Sequence, residues 1–250
     1  MNGIDCTNTI TENIGKALKD SGYQFVCRYL APAKFSWKRL IPSEVDVLTK
    51  YGIKIISVFE TTADRAKYGA SIGSIDGKDA KAEAEIVNQP KGSCIYFAVD
   101  YDADSKDYDS IEAYLKAAAI ELQGYKIGVY GSFDVIEEMA NRKACSNFWQ
   151  TYAWSKGQLS KYANIYQMKN GVLVAGINCD INVSYGNEGG WNYMPKLTWK
   201  EILQKHSSNA AEWEVAIDAA VNAANAAGNI GVLEIFKYLP DLIEKIYSEK

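Results

Sequence analysis

The sequence has few of the residues that histidine and metal chemistry require. Its 250 residues include one histidine, His206, and no Cys-x-x-Cys pair. A Ser-His-Asp triad and a zinc site are therefore disfavoured, and we predict carboxylate chemistry with no metal and no cofactor. The odd number of cysteines and their apolar neighbours predict buried, reduced thiols at Cys6, Cys27, Cys94, Cys145 and Cys179.

Long apolar runs and basic runs are also missing. Without 18 consecutive apolar residues we predict no membrane span. A formal charge of −4 disfavours nucleic acid and anionic membranes as partners. The N-terminus lacks the basic start and apolar run of a secretory signal, so we expect a protein that stays in the cytoplasm until released. If it is a lysin, it would then act at the cell wall.

Short apolar runs alternate with helical patterns as far as about residue 184, which predicts an α/β fold. We predict a parallel (β/α)₈ TIM-type barrel, irregular in its last third because little helix fits between strands six and seven. An open doubly wound sheet is the alternative, but the sequence has no G-x-G-x-x-G and no P-loop motif. The predicted strands are 3–7, 24–30, 53–60, 93–100, 126–132, 148–153, 164–168 and 177–183.

The last part of the chain has a different pattern. Residues 198–228 and 230–247 are predicted to be helical, and an alanine stripe is formed by Ala216, Ala220, Ala223 and Ala227. We therefore predict a barrel domain over residues 1–192 and a helical segment over 193–250. That segment would target the wall, cap the barrel or form a homo-oligomer.

Carboxylates occur where the predicted strands end. In a parallel barrel these ends meet at one face, where active sites lie. The set is Asp5, Glu60, Asp100, Asp102 and Asp180. Turn chemistry explains any one of them equally well, since Asp is common after strands. It explains the set less well, because Asp5 and Asp180 lie within apolar runs.

Asp100-Tyr101-Asp102 is the sharpest local motif. Residues i and i+2 of an extended strand point to the same side, so the two carboxylates are predicted to share one site. Repulsion would raise one pKa, which suits the cleavage of a glycosidic bond. A solvated loop, or a calcium or magnesium site that includes Asp104 and Asp107, is the alternative.

Aromatic and amide side chains near the same strand ends are typical of a sugar site. The predicted substrate contacts are Arg28, Tyr29, Tyr130, Trp149, Gln150, Tyr166, Gln167 and Asn182. Most aromatic residues are simply core residues, which is the alternative for each ring. Arg28 lies inside a strand and needs an acidic partner, for which Asp5 or Glu60 is predicted.

Six motifs in order resemble one known family. They are Gly3-Ile4-Asp5-Cys6, Val26-Cys27-Arg28-Tyr29-Leu30, Tyr96-Phe97-Ala98-Val99-Asp100-Tyr101-Asp102, Gly128-Val129-Tyr130-Gly131, Trp149-Gln150-Thr151 and Cys179-Asp180-Ile181-Asn182. Over residues 2–192 the chain resembles the glycoside-hydrolase-like domain family DUF1906, the Rv2525c-like group. That family is similar to the family 25 lysozymes, which are N-acetylmuramidases.

The resemblance implies roles for the acidic residues. Asp5, Asp100 and Asp180 match acids of family 25, whereas Asp102 stands where that family has a longer Glu. Asp102 would protonate the leaving oxygen. Asp100 would stabilise the oxocarbenium, orient an N-acetyl group or activate water, and Asp5, Glu60 and Asp180 would tune pKa values and hold the sugar.

We therefore expect a glycoside hydrolase that cleaves bacterial peptidoglycan, either an endolysin or an autolysin. A non-catalytic barrel that binds cell-wall carbohydrate is the first alternative, motivated by the Asp in place of Glu. An assembly protein that oligomerises through its helical tail is the second.

Overall fold

Eight strands close into a barrel in chain order. The structure is a computed structural model that describes residues 1–192 and 210–226. The strands are β1 (Asn2–Asp5), β2 (Phe25–Tyr29), β3 (Lys54–Phe59), β4 (Cys94–Ala98), β5 (Lys126–Gly131), β6 (Asn147–Thr151), β7 (Ile165–Val174) and β8 (Ile177–Ser184). The predicted eight-stranded α/β barrel is confirmed.

The last strand runs against the others. β1 to β7 are parallel, but β8 is antiparallel to both β7 and β1, so the prediction of eight parallel strands is wrong in this strand. The reason is a two-residue turn: Val174 pairs with Ile177, and Ala175 and Gly176 between them have φ of 49° and 80°. Positive φ at both positions is the geometry of a tight hairpin, which makes its strands antiparallel.

Helices cover the outside of the first five strands. They are α1 (Glu12–Asp20), α2 (Pro42–Lys50), α3 (Gly69–Ile86), α4 (Tyr108–Glu121) and α5 (Phe133–Asn141). Between β6 and β7 there is no helix, which confirms the predicted irregularity.

The core has two layers, because alternate strand residues face opposite sides of the barrel wall. In β2, Phe25 and Cys27 belong to the interior cluster, whereas Val26 packs in the larger cluster between the strands and the helices. This alternation decides which side chains reach the barrel mouth.

Helix α3 begins within a polar, glycine-containing stretch whose sequence predicts a loop as far as Gly77. The helix starts at Gly69 and includes both Gly73 and Gly77. A Cβ on Gly73 would lie 2.2 Å from the carbonyl oxygen of Tyr114 on α4, and one on Gly77 would lie 2.9 Å from the Cα of Ala118. These glycines allow the two helix backbones to touch, which compensates for their low helix propensity.

All five cysteines are free thiols. Four are buried, as predicted, whereas Cys145 is only partly buried. Burial raises the thiol pKa of each, to about 12 for Cys6 and Cys145. The thiols therefore stay protonated and behave as small apolar side chains.

The chain divides into two units, Met1–Tyr193 and Met194–Lys250. In the second unit the structure describes one helix, α6 (Ala210–Ala226), which lies within the predicted helix 198–228. The rest of that prediction, the helix 230–247, Ala227 and His206 lie outside the described residues. Among the helices that the structure describes, none has the length and apolar character needed to cross a bilayer.

We predict that Gly73→Ala destabilises the barrel although alanine is the better helix former. The added methyl clashes with the Tyr114 carbonyl, and overpacking of this kind costs about 1–3 kcal/mol. Urea unfolding followed by circular dichroism measures the change. Ser71→Ala, at an exposed position of the same helix, is the control and should not lower stability. A Gly73→Ala protein as stable as wild type would contradict the close contact.

Candidate active site at the barrel mouth

A polar cavity of about 140 Å³ opens at the carboxyl ends of the parallel strands. Four of the five predicted acids line it: Asp5, Glu60, Asp100 and Asp180. Of the predicted substrate contacts, Tyr29, Tyr130, Trp149 and Gln167 also line it. Val58, Ala98 and Asn170 complete the wall. The predicted convergence of acidic strand ends on one mouth is therefore observed for these four acids.

Two of the carboxylates form a pair that shares one hydrogen-bond donor. Asp5 on β1 is the register partner of Asp180 on β8. The Gln167 side-chain Nε2 donates to Asp5 Oδ2 at 2.9 Å and to Asp180 Oδ2 at 3.2 Å. Its Oε1 accepts from the hydroxyls of Tyr130 and Thr151, both at 2.8 Å. Because an ionised carboxylate only accepts, the amide turns its NH₂ group toward the two acids and leaves its oxygen to accept from the two hydroxyls.

A second amide side chain donates to Asp5. Asn182 Nδ2 donates to Asp5 Oδ2 at 2.7 Å, and its Oδ1 accepts from the Trp149 indole at 2.8 Å. The indole is a donor only, so this orientation is also fixed. Asp180 accepts a further bond from the backbone N–H of Gly171 at 2.8 Å. Asn182 is buried and does not line the cavity, so its place is behind Asp5 rather than against a ligand.

Burial raises the pKa of three of these acids. The pKa of Asp5 is raised from 3.8 to about 7, first by burial and then by the nearby charge of Asp180. Burial also raises the pKa of Asp100, with Glu60 adding to the effect, and the pKa of Asp180. The mouth therefore contains carboxyl groups that differ in their readiness to lose a proton, as general acid–base chemistry requires.

Lys38 is a site residue that the sequence did not reveal. It is 3% exposed, its Nζ lies 3.1 Å from Glu60 Oε1, and it sits over the Tyr29 ring at 4.7 Å from the centroid. Lys38 lies in the irregular segment between β2 and α2, where no periodicity marks a side chain as inward-facing. Asn170, in the β7 extension, was missed because β7 was predicted to end at Met168.

Asp102 does not accompany Asp100 into the cavity. It is exposed and is not among the lining residues. β4 ends at Ala98, and the chain bends at Tyr101, whose carbonyl accepts from the Ala103 N–H. The alternation that was expected to align the two carboxylates applies only to extended backbone, so it does not extend this far.

The prediction for Arg28 is wrong. Its guanidinium pairs with Glu44 of α2, with Nε 2.5 Å from Oε1, and it also donates to the backbone carbonyl of Cys6. Both charged side chains are fully buried between β2 and α2. The ion pair of Arg28 therefore holds α2 against β2, and the partners of Arg28 are Glu44 and Cys6 rather than the predicted Asp5 or Glu60.

Two further predicted contacts, Gln150 and Tyr166, face away from the cavity, because successive residues of a strand point to opposite sides of the barrel wall. Gln150 is buried and bonds to the Gln158 carbonyl and the Ser160 N–H, so it holds the loop after β6. Tyr166 is half-buried and precedes Gln167 in β7, so its side chain points to the opposite side of the strand. Neither lines the mouth, so the structure does not bring these two residues to the cavity with the acids.

The alternative of a metal site gains no support from the described residues. In residues 1–192 and 210–226 there is no group of three or more His, Cys, Asp or Glu side chains arranged to hold an ion. Asp104 and Asp107 instead bond within their own loop, Asp104 Oδ1 accepting from the Lys106 N–H and Asp107 Oδ2 from the Asp104 N–H.

A closed barrel with acids, an amide network and aromatic rings at its mouth defines a protein of the glycoside-hydrolase-like barrel class. The chain belongs to the Rv2525c-like, glycoside hydrolase-like domain family, whose model matches residues 16–185. The family resemblance seen in the sequence is thereby confirmed.

Two individual proteins are similar to this chain. The Bacillus subtilis protein FadG, which is uncharacterised, is 30% identical over 144 residues, covering 53% of this chain but only 25% of FadG. This chain therefore spans about a quarter of that curated relative. The crystal structure of the Tat-secreted protein Rv2525c of Mycobacterium tuberculosis superposes with a TM-score of 0.69 at 22% identity, covering 76% of this chain and 98% of the other.

The fold is also similar to that of an autolysin. The modular autolysin LytC of Streptococcus pneumoniae superposes with a TM-score of 0.55 at 15% identity, covering 74% of this chain and 46% of LytC. This similarity establishes a common fold.

We predict that Asp5→Asn changes how stability depends on pH. Because the folded-state pKa is raised, wild type loses stability as pH rises from about 4 to about 7, on the order of 4 kcal/mol for a shift of this size. Asparagine carries no charge, so the variant should lose less stability over that range. Urea unfolding at pH 4, 6 and 8 measures the difference.

Asp46→Asn, at an exposed position of α2, is the matched control and should keep the wild-type pH dependence. If the free energy of unfolding changes with pH by the same amount in wild type and in Asp5→Asn, then Asp5 is not the group that keeps its proton in the folded protein.

Proposed function

We propose that the barrel mouth cleaves glycosidic bonds in bacterial peptidoglycan, as an endolysin or an autolysin does. One observation carries the proposal: Asp5, Asp100 and Asp180 line the same small polar cavity, and the pKa of each is raised. Glycoside hydrolysis requires one carboxyl group that holds a proton and one that carries charge near the same bond.

The geometry supports a division of roles. Asp100 is half-buried at the end of β4 and open to the cavity, so we assign it the proton transfer to the leaving oxygen. Asp5 retains its proton to about pH 7, which leaves Asp180 to carry the negative charge of the pair. That charge, held by Gln167 and the Gly171 N–H, would stabilise the developing oxocarbenium ion.

The substrate class rests on the surroundings of the acids and on family membership. Tyr130 and Trp149 meet edge to face with centroids 4.9 Å apart and form an aromatic wall beside the carboxylates. Such rings suit the apolar face of a sugar, while the amides and acids suit its hydroxyls. LytC shares the fold, and its structure in complex with a synthetic peptidoglycan ligand superposes on this chain with a TM-score of 0.53.

The first experiment measures reducing ends released from purified peptidoglycan. Wild type should release them, and Asp100→Asn should release them about 10²–10⁴-fold more slowly, the usual contribution of a general acid. Asp102→Asn is the matched control two residues away, and it should keep near wild-type activity if Asp100 is the acid. Loss of activity in Asp102→Asn alone would restore the role that the resemblance gave to Asp102.

A non-catalytic glycan-binding barrel is the second candidate. It is favoured by the exposure of Asp102, since the residue that matches the family 25 acid lies outside the cavity. In this case peptidoglycan would sediment the protein but would gain no new reducing ends. Binding without turnover in wild type would therefore overturn the hydrolase proposal.

The helical segment is proposed to form a homo-oligomer. On α6, Trp213 and Val215 are exposed, as are Ala220 and Ala223 of the alanine stripe. Sedimentation velocity of the full chain and of residues 1–192 should give an oligomer for the first and a monomer for the second. The same monomeric state for both would remove the assembly role.

A further inference from the structure

The two exposed tryptophans of residues 1–192 lie in loops at the barrel mouth. Residues 1–192 contain four tryptophans, of which Trp149 and Trp191 are buried, whereas Trp37 is 63% exposed and Trp154 is 38% exposed. Trp37 lies between β2 and α2, and Trp154 lies three residues after the end of β6. Both segments leave the barrel at the carboxyl ends of parallel strands, which is the face that contains the acidic cavity.

The two rings belong to opposite sides of that face. The barrel closes in the order β1 to β8, so β2 and β6 are four strands apart in either direction around it. Loops that follow these strands therefore rise on opposite rims. The cavity with Asp5, Asp100 and Asp180 lies at the mouth between them.

Trp37 is connected to the cavity through Lys38. The Lys38 ammonium lies over the Trp37 ring, 5.4 Å from its centroid, and over the Tyr29 ring. The same ammonium pairs with Glu60 at 3.1 Å, and both Tyr29 and Glu60 line the cavity. A cation held between a carboxylate and aromatic rings fixes the position of the indole, which still presents most of its surface to solvent.

Trp154 is connected to the opposite wall of the cavity. Its φ is 57°, a conformation that a bulky side chain rarely adopts, and the turn around it is closed by Ser155 Oγ donating to the Thr151 carbonyl at 2.5 Å. The Ala153 N–H donates to Thr151 Oγ1, whose hydroxyl in turn donates to Gln167. The turn that displays Trp154 is thus bonded to the residue that orients Asp5 and Asp180.

We infer that Trp37 and Trp154 are stacking platforms for sugar rings on opposite rims of the mouth, so that the site takes an extended glycan chain that crosses the acidic cavity. This inference rests on the proposed function and specifies its substrate as an internal stretch of a glycan chain. An indole offers a wide apolar face and a polar N–H, which suits a pyranose ring. Two such faces flanking the acids favour cleavage within a chain over cleavage at its end.

The test measures binding of soluble β-1,4-linked N-acetylglucosamine oligomers of two to six units by titration calorimetry. All proteins carry Asp100→Asn, so that the oligomers are not consumed. Affinity should rise with length. Trp37→Ala and Trp154→Ala should each weaken hexamer binding about tenfold while leaving dimer binding unchanged. The double variant should remove the length dependence.

Two further variants control for structural effects. Trp37→Phe keeps an aromatic face and should recover most of the hexamer affinity. Tyr185→Ala removes a ring that is 57% exposed just after β8, at the end of the barrel opposite the mouth, and should bind every oligomer as the parent does.

The outcomes separate this inference from the proposed function. A parent protein that binds longer oligomers more tightly, with no loss in either tryptophan variant, would overturn the platforms and leave the glycan site intact. Equal affinity for all lengths would also overturn them. Failure of the parent to bind any oligomer would reject the proposed glycan substrate, and this inference with it.

Discussion

The candidate site depends on the antiparallel closure of the barrel by β8. That closure sets Asp180 directly opposite Asp5, and two like charges in register across a strand pair repel each other. The fold accommodates them with a proton retained on Asp5 and with two amides that donate to the acids and accept from hydroxyl and indole donors. Removal of either amide would take away one of the two side-chain donors to the buried Asp5 carboxyl group, so the network and the barrel closure stabilise each other.

Much of the fold was predictable because the strands are short, apolar and regularly separated by helices. The same regularity located the acids: Asp5, Glu60 and Asp100 follow from the rule that parallel strand ends share one face. Asp180 was also placed at the mouth, but on the wrong argument. It reaches the mouth from the middle of an antiparallel strand, through its register with Asp5.

The errors have two physical causes. The first is the alternation of side chains along a strand, which the predicted substrate contacts did not follow. Tyr29, Trp149 and Gln167 face inward, so their neighbours must face outward. These neighbours are Arg28, Gln150 and Tyr166. The other cause is the conformation of irregular backbone. No sequence pattern shows that Lys38 folds back onto Glu60, or that the bend at Tyr101 separates Asp102 from Asp100.

The buried cysteines give the barrel a set of intrinsic reporters. Cys27 and Cys94 lie in the interior cluster, whereas Cys6 and Cys179 lie in the cluster outside the strands. A thiol reagent can modify such groups only when the surrounding structure opens, so labelling rates at these positions would record local and global opening separately. The chain thus carries, without any engineered probe, the means to show whether the β8 side of the barrel opens before the rest.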